Sequence, residues 1–193
     1  PKALWMQDTG EMLAHSNLKR YRENTFLSFR SSPFGSGSHT LSDQNSFNLH
    51  FRGVPVYRST GYYLHFSDPH NLLSYRHTRA HNTILVDGIG QPFTTRAYGK
   101  LVRMLSGENI SYACGDASNA YCGLTDYPMW QKNFKNAKVE ESVANGFGET
   151  PLKKYRRHIL LLHPNIIVIY DELEAGKPVR WDWLLHSPVQ FKF

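Results

Sequence analysis

An antiparallel β-sandwich of many short strands, with little helix, is the fold class this sequence predicts. Three observations carry that expectation. Apolar and polar residues alternate in short runs, turn residues interrupt those runs at roughly ten-residue spacing, and no stretch holds a long helical period. Glu11 to His15 and Thr25 to Phe29 read as opening strands. From Asn45 the pattern sets Phe47, Leu49 and Phe51 on one face and Ser46, Asn48 and His50 on the other, which is a half-buried strand. It turns at Arg52-Gly53 into Val54 to Arg58, a hairpin. Asn82 to Gly88 is a β-branched strand closing in an Asp-Gly turn, and Leu101 to Leu105, Ile110 to Cys114 and Ala137 to Ala144 continue the series. Tyr155 to Tyr170 makes two arms about His163-Pro164-Asn165, and Val179 to His186 sets Trp181 and Trp183 on one face, read as core packing with a sugar platform as the alternative. Asn119 to Asn136 is the least regular segment, a loop or a short helix.

The bulk numbers bound the function. A chain of 193 residues fits one domain, so residues 1–193 are read as a single β-sandwich. A net charge of +6 concentrates anionic partners at the surface: nucleic acid, acidic polysaccharide or an anionic membrane. No helix-turn-helix or RNA-binding pattern supports nucleic acid, and no apolar run has membrane length. The densest basic cluster, Lys153-Lys154-Tyr155-Arg156-Arg157, leads straight into an apolar strand and reads as a strand start with solvated charges. Cys114 and Cys122 have no zinc spacing and leave open one disulfide or two free thiols. The chain begins with Pro1 and shows no signal peptide; a processed or partial chain is expected, so that lack says nothing of compartment.

The richest stretch runs from Arg30 to Phe47, where a Gly/Ser loop presents His39 and Asp43 just before a strand. Polar, titratable groups on a loop held by a rigid strand are a common way to build an active site. On local sequence the simpler expectation is that His39 and Asp43 brace the loop itself. Arg76, His77 and Arg79 make a basic cluster beside His81, suited either to carboxylate binding or to a solvated loop. Asn45 and Gln44 read as turn residues within reach of a substrate, and Tyr62 and Tyr63 as core or cleft aromatics.

Several runs together resemble the β-sandwich domain of the heparinase II/III-like polysaccharide lyases. They are Ser31 to Phe47, Gly61-Tyr62-Tyr63, Arg79 to Gly88, Gly115 to Ser118, Tyr155 to His158, Tyr170-Asp171 and Leu184 to Ser187, in the family's order. The resemblance implies a fragment of a two-part enzyme whose N-terminal α/α toroid carries a catalytic Tyr and closes a shared cleft. It implies β-elimination on a uronic-acid-containing polysaccharide, and a periplasmic or secreted setting. In that chemistry a base removes the proton α to the carboxylate, donors neutralise the carboxylate, and an acid protonates the leaving oxygen. His39 falls on the family's sandwich-domain catalytic His. Asp43, Asn45, Arg76, Arg79 and His81 are then candidates for substrate contact or for orienting that histidine. The isolated chain is expected to be inactive, and the runner-up function is a non-catalytic carbohydrate-binding or structural module. Relatives also bind zinc through three positions that here are Leu41, Ser59 and His81. Leucine cannot ligate metal and a neutral serine is a poor zinc ligand, so no zinc or other cofactor is expected.

Overall fold

The computed structural model describes residues 2–191. Five strands open the chain: β1 (Ala3–Met6), β2 (Glu11–His15), β3 (Thr25–Arg30), β4 (Ser46–Phe51) and β5 (Val54–Tyr57). They pair antiparallel in sequence order. There follow β6 (Ile84–Val86), β7 (Lys100–Ser106), β8 (Ile110–Asp116), β9 (Cys122–Gly123), helix α1 (Pro128–Ala137), β10 (Gly148–Glu149), β11 (Leu152–Leu162), β12 (Ile166–Ala175) and β13 (Trp181–Trp183). A second sheet has the order β12-β11-β8-β7, and β13-β6 and β10-β9 form two small ribbons.

The two large sheets bury one core between them. Met12, Leu27, Phe29 and Phe47 from the first meet Leu101, Ala113, Ile159 and Leu161 from the second. Period-two alternation decides which side chains those are, because successive residues of a strand point to opposite faces. The predicted hairpin is present, and Arg52 and Gly53 both take positive φ (54° and 81°), as the tight turn between twisted strands requires. A second lobe packs Leu72, Phe93 and Phe147 against α1, which offers Trp130 and Phe134 from one face at i, i+4 spacing. Pro128 starts that helix, where a missing N–H costs nothing.

The structure corrects four expectations. Ala137 to Ala144 is not a strand: α1 ends at Ala137, Lys138 takes the left-handed conformation (φ 54°), and the chain reverses. Asn82 to Gly88 shortens to Ile84–Val86, because Asn82 and Thr83 spend their side chains on the carbonyls of Phe47 (2.9 Å) and Gln44 (2.9 Å). Trp183 lies 47% exposed rather than in the core, its indole N–H donating to Asp171 at 3.0 Å. The basic cluster is not uniformly solvated, because Arg157 is fully buried. Both cysteines are free thiols.

Arg157 joins the sheets. Its Nε and Nη2 donate to the two carboxylate oxygens of Asp171 (2.8 and 2.7 Å), across the β11–β12 register. Its Nη1 donates to the carbonyls of Asn45 (2.8 Å) and Asn82 (2.7 Å). Removing one partner of such a pair leaves an uncompensated charge in the interior. Asp171→Asn is therefore expected to destabilise the domain by about 3–5 kcal/mol, read as a lowered denaturant midpoint at unchanged slope. A loss below about 1 kcal/mol would show the pair to be peripheral.

Candidate active site

The outward face of the five-stranded sheet and the His39 loop enclose a cleft of about 600 Å³. Strand alternation supplies its floor: Leu13, Phe26, Ser28, Arg30 and Asn48 point away from the core that Leu27 and Phe29 enter. His39, Thr40 and Leu41 form its rim. The His39 side chain is exposed and available to a ligand.

The loop that carries His39 is stapled along its length. Gly35 sits at φ 60° with its Cα against the carbonyls of Thr94 and Thr95, so a side chain there would collide with backbone. Ser36 donates its N–H to Thr94 O (2.9 Å) and its hydroxyl to Pro92 O (2.8 Å). The Ser42 hydroxyl donates to Ser36 Oγ at 3.1 Å, and Ser42 N–H to Arg76 O at 3.2 Å. From beneath, the buried Arg76 points one nitrogen at three loop carbonyls: Gly37 (3.2 Å), Ser38 (2.6 Å) and Thr40. Its guanidinium lies 3.6 Å from the centroid of Trp130 and 5.3 Å from that of Phe93. Burial lowers its pKa to about 9, opposed by Tyr63 and Asp43, so it remains a cation at neutral pH.

The other expected site residues divide. Asp43 borders the cleft, but its carboxylate accepts from Arg30 Nε at 3.0 Å rather than from His39. Arg30 reaches Glu11 with Nη1, also at 3.0 Å, as the register Glu11↔Arg30 allows. Asn45 does not reach the cleft: it is fully buried at φ 59°, and its amide donates to Gly115 O (3.2 Å) and Tyr155 O (3.4 Å). Arg76 and Arg79 do not line this cleft either. Arg79 donates to Asn145 O (2.6 Å) and to His77 Nδ1 (3.2 Å), and so fastens the turn before Phe147. His77 is buried with Nε2 at 2.9 Å from Gly146 O, and since Nδ1 accepts from Arg79, the proton sits on Nε2. Burial first, then the Arg79 charge, lowers its pKa to about 3.

His81 is also fully buried, and burial lowers its pKa. Its Nδ1 lies 2.8 Å from Ser59 Oγ, which occupies that nitrogen, while Nε2 has no hydrogen-bond partner among the described residues. Leu41 offers no lone pair, and among the described residues no three His, Cys, Asp or Glu side chains gather to hold a metal ion. The donor set does not fit the zinc that the resemblance implies.

Sequence reasoning missed Arg30 as a cleft residue and Tyr63 as a neighbour of His39. Arg30 was legible, since the alternation Phe26, Ser28, Arg30 sets it on the outer face. Tyr63, read as a core or cleft aromatic, lies in an irregular loop, its hydroxyl 3.5 Å from His39 Nδ1.

Comparison with known proteins follows from this geometry. The family described as Heparinase II/III-like, C-terminal, matches residues 5–192. Among solved structures, a heparinase III gene product aligns with TM-score 0.67 at 15% identity, over 98% of this chain and 24% of its own. The heparan sulfate lyase HepC from Pedobacter heparinus aligns with TM-score 0.68 at 16% identity, over 95% of this chain and 24% of its own. The chain thus spans about a quarter of the length of these structures, and at such identity the likeness speaks for the fold. No curated protein matches by sequence.

Two outcomes test the scaffold of the site. Arg76→Lys keeps a cation but loses the planar fork, so the loop should loosen at a cost of about 2–3 kcal/mol. Amide exchange at Ser36 and Ser42 should accelerate while Leu27 in the core stays protected; unchanged exchange would count against the clamp. The second concerns pH. Folded His77 stays neutral down to about pH 3, whereas the unfolded chain takes up that proton near 6.5. Stability from this group is complete above 6.5 and is lost as pH falls through the window toward 3, by about 2 kcal/mol at pH 5. Denaturant melts at pH 7 and pH 5 should show that loss, and His77→Gln should flatten it.

Proposed function

The chain belongs to the heparinase II/III-like family as its C-terminal domain, and from that premise we propose that it forms one wall of a lyase site that cleaves uronic-acid-containing polysaccharide by β-elimination. His39 is the residue this wall contributes to catalysis. Its ring donates to the uronate carboxylate or assists the base that removes the α proton, and an N–H aimed at developing negative charge suits that task. The observation that carries the reading is the exposed His39 at the rim of a 600 Å³ cleft, on a loop whose flanking carbonyls are gripped by the buried Arg76. Reactive groups held this firmly reach the transition state with little reorganisation.

The charge of the cleft supports a shared site. Its charged lining residues are Glu11, Asp43 and Arg30, and the one guanidinium is already tied to both carboxylates. Such a wall does not grip an acidic polymer by itself, so the opposing surface, an α/α toroid in the same protein, supplies the remaining cations and the acid/base Tyr. The same reading places the protein in the periplasm or outside the cell and leaves the sandwich without zinc, since Leu41 and Ser59 stand at two of the three ligand positions. Among the described residues no helix is long and apolar enough to cross a membrane.

The test is His39→Ala in the full-length protein, assayed by absorbance of unsaturated uronate across a panel of acidic polysaccharides. Turnover should fall roughly a hundredfold or more with the thermal midpoint unchanged. Near-normal turnover would remove His39 from the reaction and leave this domain as a non-catalytic carbohydrate-binding or structural module.

A further inference from the structure

Resting on the assignment of His39 to the reaction, we propose that Tyr63 is a positioning residue that fixes the tautomer of His39: its hydroxyl donates to Nδ1, so the neutral ring presents Nε2–H to the cleft. The His39 ring has two neighbours on its own side of the rim. Tyr63 Oη lies 3.5 Å from Nδ1, and Phe66 meets the ring edge-on, with centroids 5.0 Å apart and planes at 61°. Tyr63 packs on Phe66 at 5.9 Å, and Phe66 packs on the buried Trp130 at 5.1 Å. Trp130 is the ring that carries the Arg76 guanidinium. The backbone flanking His39, through Arg76, and its imidazole, through Phe66, are therefore referenced to the same buried indole.

The hydrogen-bond inventory decides the direction of the proton. In a neutral imidazole one nitrogen donates and the other accepts, and the partner of one nitrogen selects the state of the other. A phenol O–H is the better donor and an imidazole nitrogen the better acceptor, so Tyr63 gives and Nδ1 receives. Nε2 then keeps the ring proton, which is what a donor to a substrate carboxylate needs. The 3.5 Å separation is long, and catalytic hydrogen bonds of unliganded enzymes commonly tighten only in the substrate complex. Charged groups near the ring are few: Arg30, Glu11 and Asp43 share its cleft, the two carboxylates bound to Arg30, while Arg76 lies behind the loop backbone. Among the described residues, Tyr63 is thus the group that distinguishes one ring nitrogen from the other.

The consequence differs from that of a purely structural tyrosine. Once His39 takes a second proton, both nitrogens carry hydrogen and the tautomer no longer matters. Loss of the Tyr63 hydroxyl should therefore be felt where the ring is neutral and vanish where it is charged. The experiment is Tyr63→Phe, which keeps the ring and its packing. Imidazole ¹⁵N shifts of His39 at about pH 8 should show an Nε2-protonated ring in the wild type and mixed tautomers in the variant. Turnover of the full-length protein on heparan sulfate or alginate, whichever the wild type cleaves, should fall about tenfold at that pH. Identical ¹⁵N shifts in the two proteins would overturn the proposal. If instead His39→Ala retains activity, the catalytic reading fails while the ¹⁵N result still decides the Tyr63–His39 contact.

Discussion

The bidentate pairing of Arg157 with Asp171 is the interaction on which both the sandwich and its site depend. Burying a guanidinium and a carboxylate is expensive, and the cost is offset only when geometry and additional hydrogen bonds are good. Here both conditions hold. Two guanidinium nitrogens meet both carboxylate oxygens, the third donates to two main-chain carbonyls, and Asp171 accepts a further hydrogen from the Trp183 indole. The two carbonyls belong to Asn45 and Asn82. Asn45 stands where the His39 loop becomes β4, and Asn82 follows His81. One ion pair between β11 and β12 thus fixes the exit of the candidate catalytic loop and the strand start behind it. The rings of Phe47, Tyr155 and Trp183, each within 6 Å of the guanidinium carbon, give that charge a polarisable surround.

Arg76 solves a similar problem without a counter-ion. It is buried against Trp130 and the partial charges of three carbonyls, and two of its nitrogens, Nε and Nη1, find no hydrogen-bond partner. That poorer solvation is consistent with a pKa lowered to about 9, whereas the paired Arg157 is raised despite its burial. A cation left this poorly satisfied is not placed for stability alone, since an apolar side chain would fill the same space at lower cost. What it gives is a loop with the carbonyls of Gly37, Ser38 and Thr40 turned inward on either side of His39, whose side chain is exposed. The energy is spent on the orientation of one residue, which is the pattern expected where strain and desolvation gather at a functional site.

Much of the sandwich was legible in the sequence because two-residue alternation survives wherever one sheet face is buried. β3, β4, β8 and β11 all follow it, and the Arg52-Gly53 hairpin carries its own turn signature. Reading failed where side chains compete with the strand ladder. Asn82 and Thr83 look like strand residues, yet their polar groups satisfy neighbouring carbonyls. Val139 looks like the start of a strand, but its N–H closes the end of α1 on Phe134 O. The site shows the same division. His39 could be singled out because a loop and a family resemblance point at it. The roles of Asn45, Arg76 and Arg79 could not, because local sequence does not tell a surface guanidinium from one whose partners are main-chain carbonyls thirty to seventy residues away.

The contact between Ser59 and His81 joins two of the three positions at which the family resemblance implies metal ligands. A tetrahedral metal would bind the chain at several points at once, each ligand held by the others. Here a single 2.8 Å hydrogen bond joins Ser59 to His81, while Ser59 N–H donates to Asn48 Oδ1 at 3.0 Å. Asn48 lies on β4 and lines the cleft, so the segment after β5 is tied both to the cleft floor and to the strand start behind it. Leu41 meanwhile turns into the cleft rim, where an apolar side chain costs nothing. Arg76 and the Ser36–Ser42 pair hold the loop on either side of His39. In this chain the histidine is positioned by buried guanidinium, hydroxyl and indole groups.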